Sequence, residues 1–505
     1  METWRPTIAS LPQHVWLVLL LLLFPLLFLL KKKLTSNNLP PGPPGLPIIG
    51  NLHQLGALPH YSLWQLSKKY GPIMLLQFGR VPTLVISSAE AAKELLKKND
   101  LNSFSRPRLT GTGRLSYNYL DMAFAPYGDY WRDVRKICVL ELFSAKIVQS
   151  FQSVREEEVG IFIDSILKAS SSSSPVDLSE MSLTLTANIT CRAAFGKSLK
   201  ARGFTQERFQ EVIHEGFAML GSFSAADFFP YVGWIVDRLT GLHARLEKNF
   251  QEFDEFYQKI IDDHIQKERN ETEDIIDVLL DLERDQSSAF QLSQDHIKAI
   301  LMDIFLAGVD TAAIILVWAM AELIKNPRIM KKAQEEIRTL IGNKREFSKS
   351  NIDKLDYLKL ILKETLRLHS SGALLIPRES ISKFNIGGYE VYPQTRIEVN
   401  AWAIARDPKV WKDAEKFFPE RFVDKDIDYK GQHYEFLPFG AGRRSCPGMS
   451  MGMAMVELAL ANLLYWFDWR LPNDMKEEDF SMEEKAGLAT YKKVPLVLVP
   501  VKYQP

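Results

Sequence analysis

Cysteine is scarce in this chain: Cys138, Cys191 and Cys446 are the three in 505 residues, and they lie far apart. That scarcity excludes a disulfide framework and any paired-cysteine zinc or redox site, and it fits a reducing compartment. A cysteine with a chemical role here must act alone. Neither sign of charge is in excess, with 62 Lys and Arg against 62 Asp and Glu. Nothing therefore favours nucleic acid or an anionic surface as a partner. There is no internal repeat, and the Ser170–Ser174 run is too short a polar loop to divide the fold. A dinucleotide fingerprint is missing too, because Gly111-Thr-Gly113 has no third glycine at the required spacing and no βαβ surroundings.

Apolar residues are plentiful, at 46% against 25% charged, which suits a globular body with a large core. One run is distinct. Val15–Leu30 is continuously apolar and is followed at once by Lys31, Lys32 and Lys33. Roughly 16 residues of helix reach about 24 Å, and flanking lysines extend that reach toward a thin bilayer. The basic residues follow the run and no small-residue cleavage site is present, so an uncleaved anchor is expected rather than a secretory signal. Lysines retained on the cytosolic side leave the bulk of the protein in the cytosol. The glycosylation-type triplets at Asn188 and Asn270 then have no use. Five prolines in the nine residues Leu39–Pro47 favour a stiff extended segment. The expected organisation is an anchor with a basic stop over 1–33, a proline-rich hinge over 34–50 and one domain over 51–505.

Periodicity predicts helices at Glu90–Lys98, Tyr130–Phe143, Phe209–Leu220, Leu246–Lys267 and Asn326–Ile341. Short strands are expected at Met74–Phe78, Thr83–Ser87, Arg396–Asn400 and Pro495–Val501. The fold class is mainly α with small β-sheets. One helix, from Ser293 to Lys325, is apolar almost all round and is ended by Asn326-Pro327, so it must run through the centre of a core. Asp310 and Thr311 lie in its middle, where an acid and a hydroxyl are costly unless used. Gly308 weakens the helix, which predicts a local bulge where Thr311 stops bonding to its own turn.

The segment FGAGRRSCPG, Phe439 to Gly448, is a glycine-rich loop leading into an apolar helix over Met449–Trp466. Cys446 lies just before that helix, where free N–H groups and the helix dipole favour a thiolate. Gly440, Gly442 and Gly448 allow a flat partner to approach the backbone, and Phe439 can shield the sulfur. A single iron ligand and a buried structural cysteine in a tight turn both suit these residues. Cys138 and Cys191, in apolar helical stretches, read as structural. Glu364 and Arg367 share one helix face at i, i+3, and Arg421 can complete a carboxylate shared by two guanidinium groups.

FGAGRRSCPG resembles the haem-binding loop of the cytochrome P-450 family, F-x-x-G-x-R-x-C-x-G, at every fixed position. Four further segments match in order. Trp131-Arg-Asp-Val-Arg135 resembles a W-x-x-x-R haem-edge helix, and Ala307-Gly-Val-Asp-Thr311 the oxygen-activation motif. Glu364-Thr-Leu-Arg367 resembles E-x-x-R, and Pro419-Glu-Arg-Phe422 resembles P-E-R-F. With LPPGPPGLPIIGNLHQLG and YGPIMLLQFG, the chain resembles plant A-type microsomal members of that family.

The resemblance implies the cytochrome P-450 fold, with haem b between the long central helix and the cysteine-loop helix and one transmembrane helix in front. Cys446 would be the axial thiolate, next to Phe439 and Gly440. Arg135, Arg444 and Arg378 would neutralise the haem carboxylates, with Trp131 donating its indole N–H; Arg106 and Arg108 are expected as surface salt-bridge formers. Thr311 and Asp310 would handle oxygen and protons. With no flavin or nicotinamide site in the chain, a separate NADPH–cytochrome P-450 reductase is implied, at the endoplasmic reticulum membrane. Pocket residues by resemblance include Ala307, Gly372, Leu374, Leu375 and Leu488, and the stretch Ser116–Phe124. They suit a hydrophobic small molecule, such as a terpenoid, alkaloid or phenylpropanoid of plant specialised metabolism. Ser370-Ser371-Gly372-Ala373 replaces a proline-rich pattern usual in such plant sequences, which is expected to alter pocket shape. A haem-thiolate isomerase or dehydratase, or a haem sensor, would have no use for Asp310 and Thr311.

Overall fold

The long apolar stretch folds as one helix, Gln294–Lys325, in a computed structural model that describes residues 38–198, 206–266, 274–285, 290–342, 347–473 and 475–504. Its start is fixed by a capping box in which Ser293 accepts from His296 N–H and His296 Nδ1 accepts from Ser293 N–H at 3.0 Å. Asn326-Pro327 ends it. Between Ile297 and Ile324 every residue is buried except Ala307, Gly308 and Thr311. The apolar run Val15–Leu30 and its lysines lie outside the described residues.

In chain order the principal helices are α1 (Pro59–Tyr70), α2 (Asp129–Ile137), α3 (Gln152–Ser171), α4 (Leu178–Phe195) and α5 (Gln206–Leu220). They continue as α6 (Leu242–Gln266), α7 (Gln294–Lys325), α8 (Pro327–Ile341), α9 (Asp356–Leu368) and α10 (Met449–Trp466). The strands used below are β1 (Ile73–Phe78), β2 (Val81–Ile86), β3 (Arg378–Glu379), β4 (Arg396–Val399), β5 (Phe467–Arg470), β6 (Tyr491–Lys492) and β7 (Val497–Lys502). The fold is mainly helical with small sheets, as the periodicity predicted.

Helix α7 is apolar on all sides because helices enclose it on all sides. Its first half, Ile297 to Val309, packs with α4, α5 and α6 in one hydrophobic cluster. Its second half, Ile314 to Ile324, packs with α3, α8, α9 and α10 in another. Each fully buried leucine or isoleucine contributes about 1.5–3 kcal/mol. Ala307, Gly308 and Thr311 sit at the seam and belong to neither cluster. The bulge expected at Gly308 is absent. The helix is regular there, and Thr311 Oγ1 donates to Ala307 O at 2.7 Å. A Cβ on Gly308 would stand 3.2 Å from Thr190 Cγ2 and Oγ1, so the missing side chain lets α4 close on α7. The glycine admits a neighbouring helix, and the turn stays wound.

Four strands form a sheet in the order β1-β2-β4-β3, with β2 and β4 parallel and Thr83 opposite Arg396. One face sends Leu84, Ile86, Ile397 and Val399 into a shared core. The other carries Met74, Leu76, Phe78 and Val85 against Leu63 of α1. The described part of the proline-rich segment lies along β1: Leu75 N–H donates to Pro41 O at 3.0 Å, and Asn51 Nδ2 to Pro43 O at 3.1 Å. A second sheet joins β5 and β7 near the C-terminus. Gly111 lies in a short helix, where a Cβ would meet Met219 O at 2.3 Å, so this glycine serves helix packing.

Candidate active site

The cysteine loop turns on two left-handed glycines, Gly440 at φ 67° and Gly442 at φ 72°. A Cβ on Gly442 would also stand 2.8 Å from Asp100 Oδ1. The turn is closed by Cys446 N–H donating to Phe439 O at 3.0 Å. Burial pushes the Cys446 thiol up, while N–H groups of Gly448 and Met449 and the nearby Arg135 guanidinium pull it down. The residue has open surface even though protein surrounds it deep in the fold, because that surface faces an internal cavity. Cys138 and Cys191 are buried in helical surroundings, and burial pushes the Cys138 thiol up.

The cavity has a volume of about 330 Å³. Cys446, Phe439 and Gly440 line one side, and Ala307, Gly308 and Thr311 line another. Gly372, Leu375 and Leu488 of the sequence-predicted pocket line it as well. Leu374 does not: it packs toward the cluster on the β1 face of the sheet and lines a second, smaller cavity. Leu375 takes a left-handed φ of 55°, so successive side chains part toward different cavities.

One end of the first cavity is lined by Arg106, Arg135, Arg378 and Arg444. Their N–H groups go largely to backbone carbonyls. Arg444 donates to Phe104 O, Met122 O and Ala125 O at 2.6–3.1 Å, and Arg135 to Ser445 O at 2.7 Å. Arg378 donates to Ala441 O at 2.9 Å and to Asp100 Oδ1 at 3.0 Å. Burial and the neighbouring Arg378 push Arg444 down to about 9. Burial likewise lowers Arg106, with Arg444 and Arg378 adding to it. Arg106 is thus no surface salt-bridge former. It is buried, donating to Ala123 O, Ile376 O and Pro377 O, because loop carbonyls sealed from water need a donor. Arg108 is exposed, beside the Tyr119 ring. Trp131 is buried in α2, and its Nε1 donates to Met122 O at 3.1 Å. That indole N–H is therefore already used in tying down the loop.

Thr311 uses its only proton on Ala307 O and so presents acceptor lone pairs to the cavity. Asp310 is buried and points elsewhere, accepting a hydrogen bond from Tyr491 of β6. Burial pushes its carboxyl up to about 7, against that hydrogen bond. Asp303, two turns nearer the start of α7, accepts from Met122 N–H at 2.8 Å and Ala123 N–H at 3.0 Å and so holds the loop over the cavity. Sequence reasoning missed Tyr491, placed Arg106 at the surface, and gave Asp121, beside Asp303, no role beyond lying in the pocket stretch Ser116–Phe124. Each acts through a partner remote in the chain, and no local pattern marks them.

Glu364 and Arg367 are fully buried on α9, at 2.7 Å, and Arg421 Nε reaches Glu364 Oε1 at 2.8 Å. The remaining guanidinium donors go to Ala405 O, Ala414 O, Lys412 O and Lys416 O. The network thereby clamps the segment leading to the cysteine loop. Ser370 is buried with no partner for its Oγ, and Ser371 lines the cavity, its carbonyl accepting from Thr490 N–H at 2.8 Å.

The donor set has a definite chemistry. One sulfur faces an apolar chamber, with glycine backbone beside it and four guanidinium groups at one end, two of them buried and Arg378 alone ion-paired, to Asp100. These residues fit a flat iron-bearing group with carboxylate arms, and haem is such a group. A family model described as Cytochrome P450 matches residues 40–498. Two relatives from Arabidopsis thaliana are similar over nearly their whole length. Cytochrome P450 71B34 is 53% identical over 97% of this chain and 99% of its own. Cytochrome P450 71B10 is 54% identical over the same shares. The chain belongs to the cytochrome P450 family, whose members are monooxygenases that use haem with a cysteine thiolate ligand. Its relatives place it with the plant A-type group.

Proposed function

We propose that this protein inserts one oxygen atom from O₂ into a hydrophobic small molecule, with electrons from NADPH delivered by a separate reductase at the endoplasmic reticulum membrane. The observation that carries the reading is the cavity that joins the Cys446 sulfur to the Ala307–Thr311 side of α7. Haem held through Cys446 would supply the oxygen-activating chemistry. The chain's own residues bind and orient around it. Arg135, Arg378, Arg444 and Arg106 would meet the carboxylate arms. Gly448 and Met449 N–H groups would hold negative charge on the sulfur, and Phe439 would screen it.

Thr311 offers an acceptor at the cavity wall, positioned to fix a water or a protonated oxygen. Asp310, with its pKa near neutrality, can hold or release a proton at working pH, and Tyr491 orients it. Apolar walls exclude bulk water and select hydrophobic substrates such as terpenoids, alkaloids or phenylpropanoids. Arg132 and Lys136 stand exposed on α2, whose Arg135 holds Ser445, and provide cationic surface for a reductase beside the cysteine loop. Membrane association is supported by exposed apolar side chains at Trp234, Leu239 and Ile48.

The test is the carbon monoxide difference spectrum of the reduced protein beside Cys446→Ser. A band near about 450 nm that is lost in the variant is the outcome expected of a thiolate ligand. A wild-type band near about 420 nm in folded protein would remove the proposal.

A further inference from the structure

We propose that a second cavity beside the first, of about 180 Å³, recognises a neutral hydroxyl-bearing end of an elongated and otherwise apolar substrate, through Arg396 and Glu398. This rests on the first cavity being the oxidation site. Arg106, Phe124, Leu220, Leu375, Ile376 and Leu488 line both cavities, so a single layer of side chains parts them. A ligand that displaces Leu375 or Leu488 spans the two.

The strand alternation of β4 creates the polar wall. Ile397 and Val399 enter the core on one face, which turns Arg396 and Glu398 to the other. Arg396 is 7% exposed, yet among the described residues its side chain makes no hydrogen bond and no ion pair within 4.0 Å. Its guanidinium carbon stands 4.9 Å from the Phe228 ring centroid. Its Nε–H is sealed from water without an acceptor, which is unfavourable. Thr83, its cross-strand neighbour, is fully buried with an unpartnered hydroxyl. Two orphaned polar side chains on one sheet face, beside a cavity, mark a place built for a polar guest.

The surrounding charges select the guest. Arg396 acts on three carboxyl groups, those of Glu398, Glu379 and Asp227. The Nε and Nη1 donors of Arg106, between the cavities, are directed to backbone carbonyls. Three acids around one unpaired guanidinium disfavour a carboxylate ligand. A hydroxyl satisfies both partners, accepting from Arg396 while donating to Glu398. Asp227 is less available, since Thr110 N–H and Oγ1 already donate to its Oδ1 at 2.8 and 2.7 Å.

The experiment measures binding of 1-decanol, decane and decanoate to the full-length holoenzyme, by calorimetry and by the Soret absorption change. Wild-type protein is expected to bind the alcohol about tenfold more tightly than the alkane, and the carboxylate more weakly than the alcohol. Arg396→Gln removes the alcohol's advantage and leaves decane binding within about twofold, and Arg396→Lys restores part of it. Equal affinity for alcohol and alkane in wild type, no alcohol binding, preference for decanoate, or a parallel loss of both ligands in Arg396→Gln overturns the proposal. The wild-type comparison decides even where a variant fails to fold. The reading of the first cavity fails separately, by absence of the carbon monoxide band, while calorimetry still reports the alcohol preference.

Discussion

Burial sets the chemistry of Asp310 more than its hydrogen bond does, pushing the carboxyl from 3.8 up to about 7 although Tyr491 donates to it. A carboxyl whose folded value lies above its unfolded one stabilises the fold fully below the unfolded value. That contribution is lost as pH rises through the folded value, here about 7. The loss is at most about 4 kcal/mol, from roughly 1.4 kcal/mol per pKa unit. Asp310→Asn keeps a carbonyl acceptor for Tyr491 and cannot ionise. Thermal midpoints measured from about pH 5 to about pH 8 are expected to fall more in wild type than in the variant. Equal falls would place the controlling ionisation on another residue. Glu364 shows the opposite management of a buried charge: two guanidinium groups and the Phe418 N–H hold its carboxylate.

At the scale of elements, the crossing of α4 on α7 decides the width of the oxygen-side wall. Gly308→Ala sets two effects against each other. Helix propensity favours alanine by about 1 kcal/mol, whereas overpacking a closed contact costs about 1–3 kcal/mol. Thr190 is a β-branched residue buried on α4, and both its Cγ2 and its Oγ1 stand 3.2 Å from the added Cβ, so the packing term is expected to win. A lowered midpoint of thermal inactivation is expected for Gly308→Ala, and adding Thr190→Ala is expected to restore it. Independent, additive effects in that double-mutant cycle would show that the helices move apart instead. The loop Ser116–Phe124 is likewise an element held from outside itself, by Asp303 of α7 and by Trp131 and Arg444.

For the whole molecule, one group of exposed apolar side chains comes from two segments, around Ile48 and around Tyr231–Leu239. Tyr231, Trp234 and Leu239 are 75%, 52% and 82% exposed, and Ile48 is 82% exposed. The two segments are linked, since Gly79 N–H donates to Ile49 O and Arg80 N–H to Phe228 O. The described part of the proline-rich segment thus enters the fold beside the apolar patch, and on the proposed membrane association the patch would face the bilayer. Full-length protein carrying Leu239→Cys with an environment-sensitive fluorophore is expected to show blue-shifted emission in vesicles relative to a label at exposed Lys349. Identical emission from the two labels would turn the patch away from the bilayer.

Much of the architecture was legible in the sequence because its causes are local. The all-round apolarity of Gln294–Lys325, its capping serine and its terminating Asn326-Pro327 define the central helix within one stretch of chain. The glycines before Cys446 do the same for the turn that presents the sulfur. The i, i+3 spacing of Glu364 and Arg367 placed both on one helix face. What tertiary structure alone decided are the partners. Arg106 reads as a surface arginine until carbonyls from residues 123, 376 and 377 converge on it. Gly308 reads as a helix breaker until Thr190 is seen to fill its notch. Arg396 reads only as the start of a strand until the packed sheet buries it beside a cavity with no acceptor for its Nε. A pattern within one segment specifies which face is apolar and where a turn falls. Desolvation and hydrogen-bond supply are set by atoms hundreds of residues away, so burial of a charge becomes visible only once the chain has closed around it.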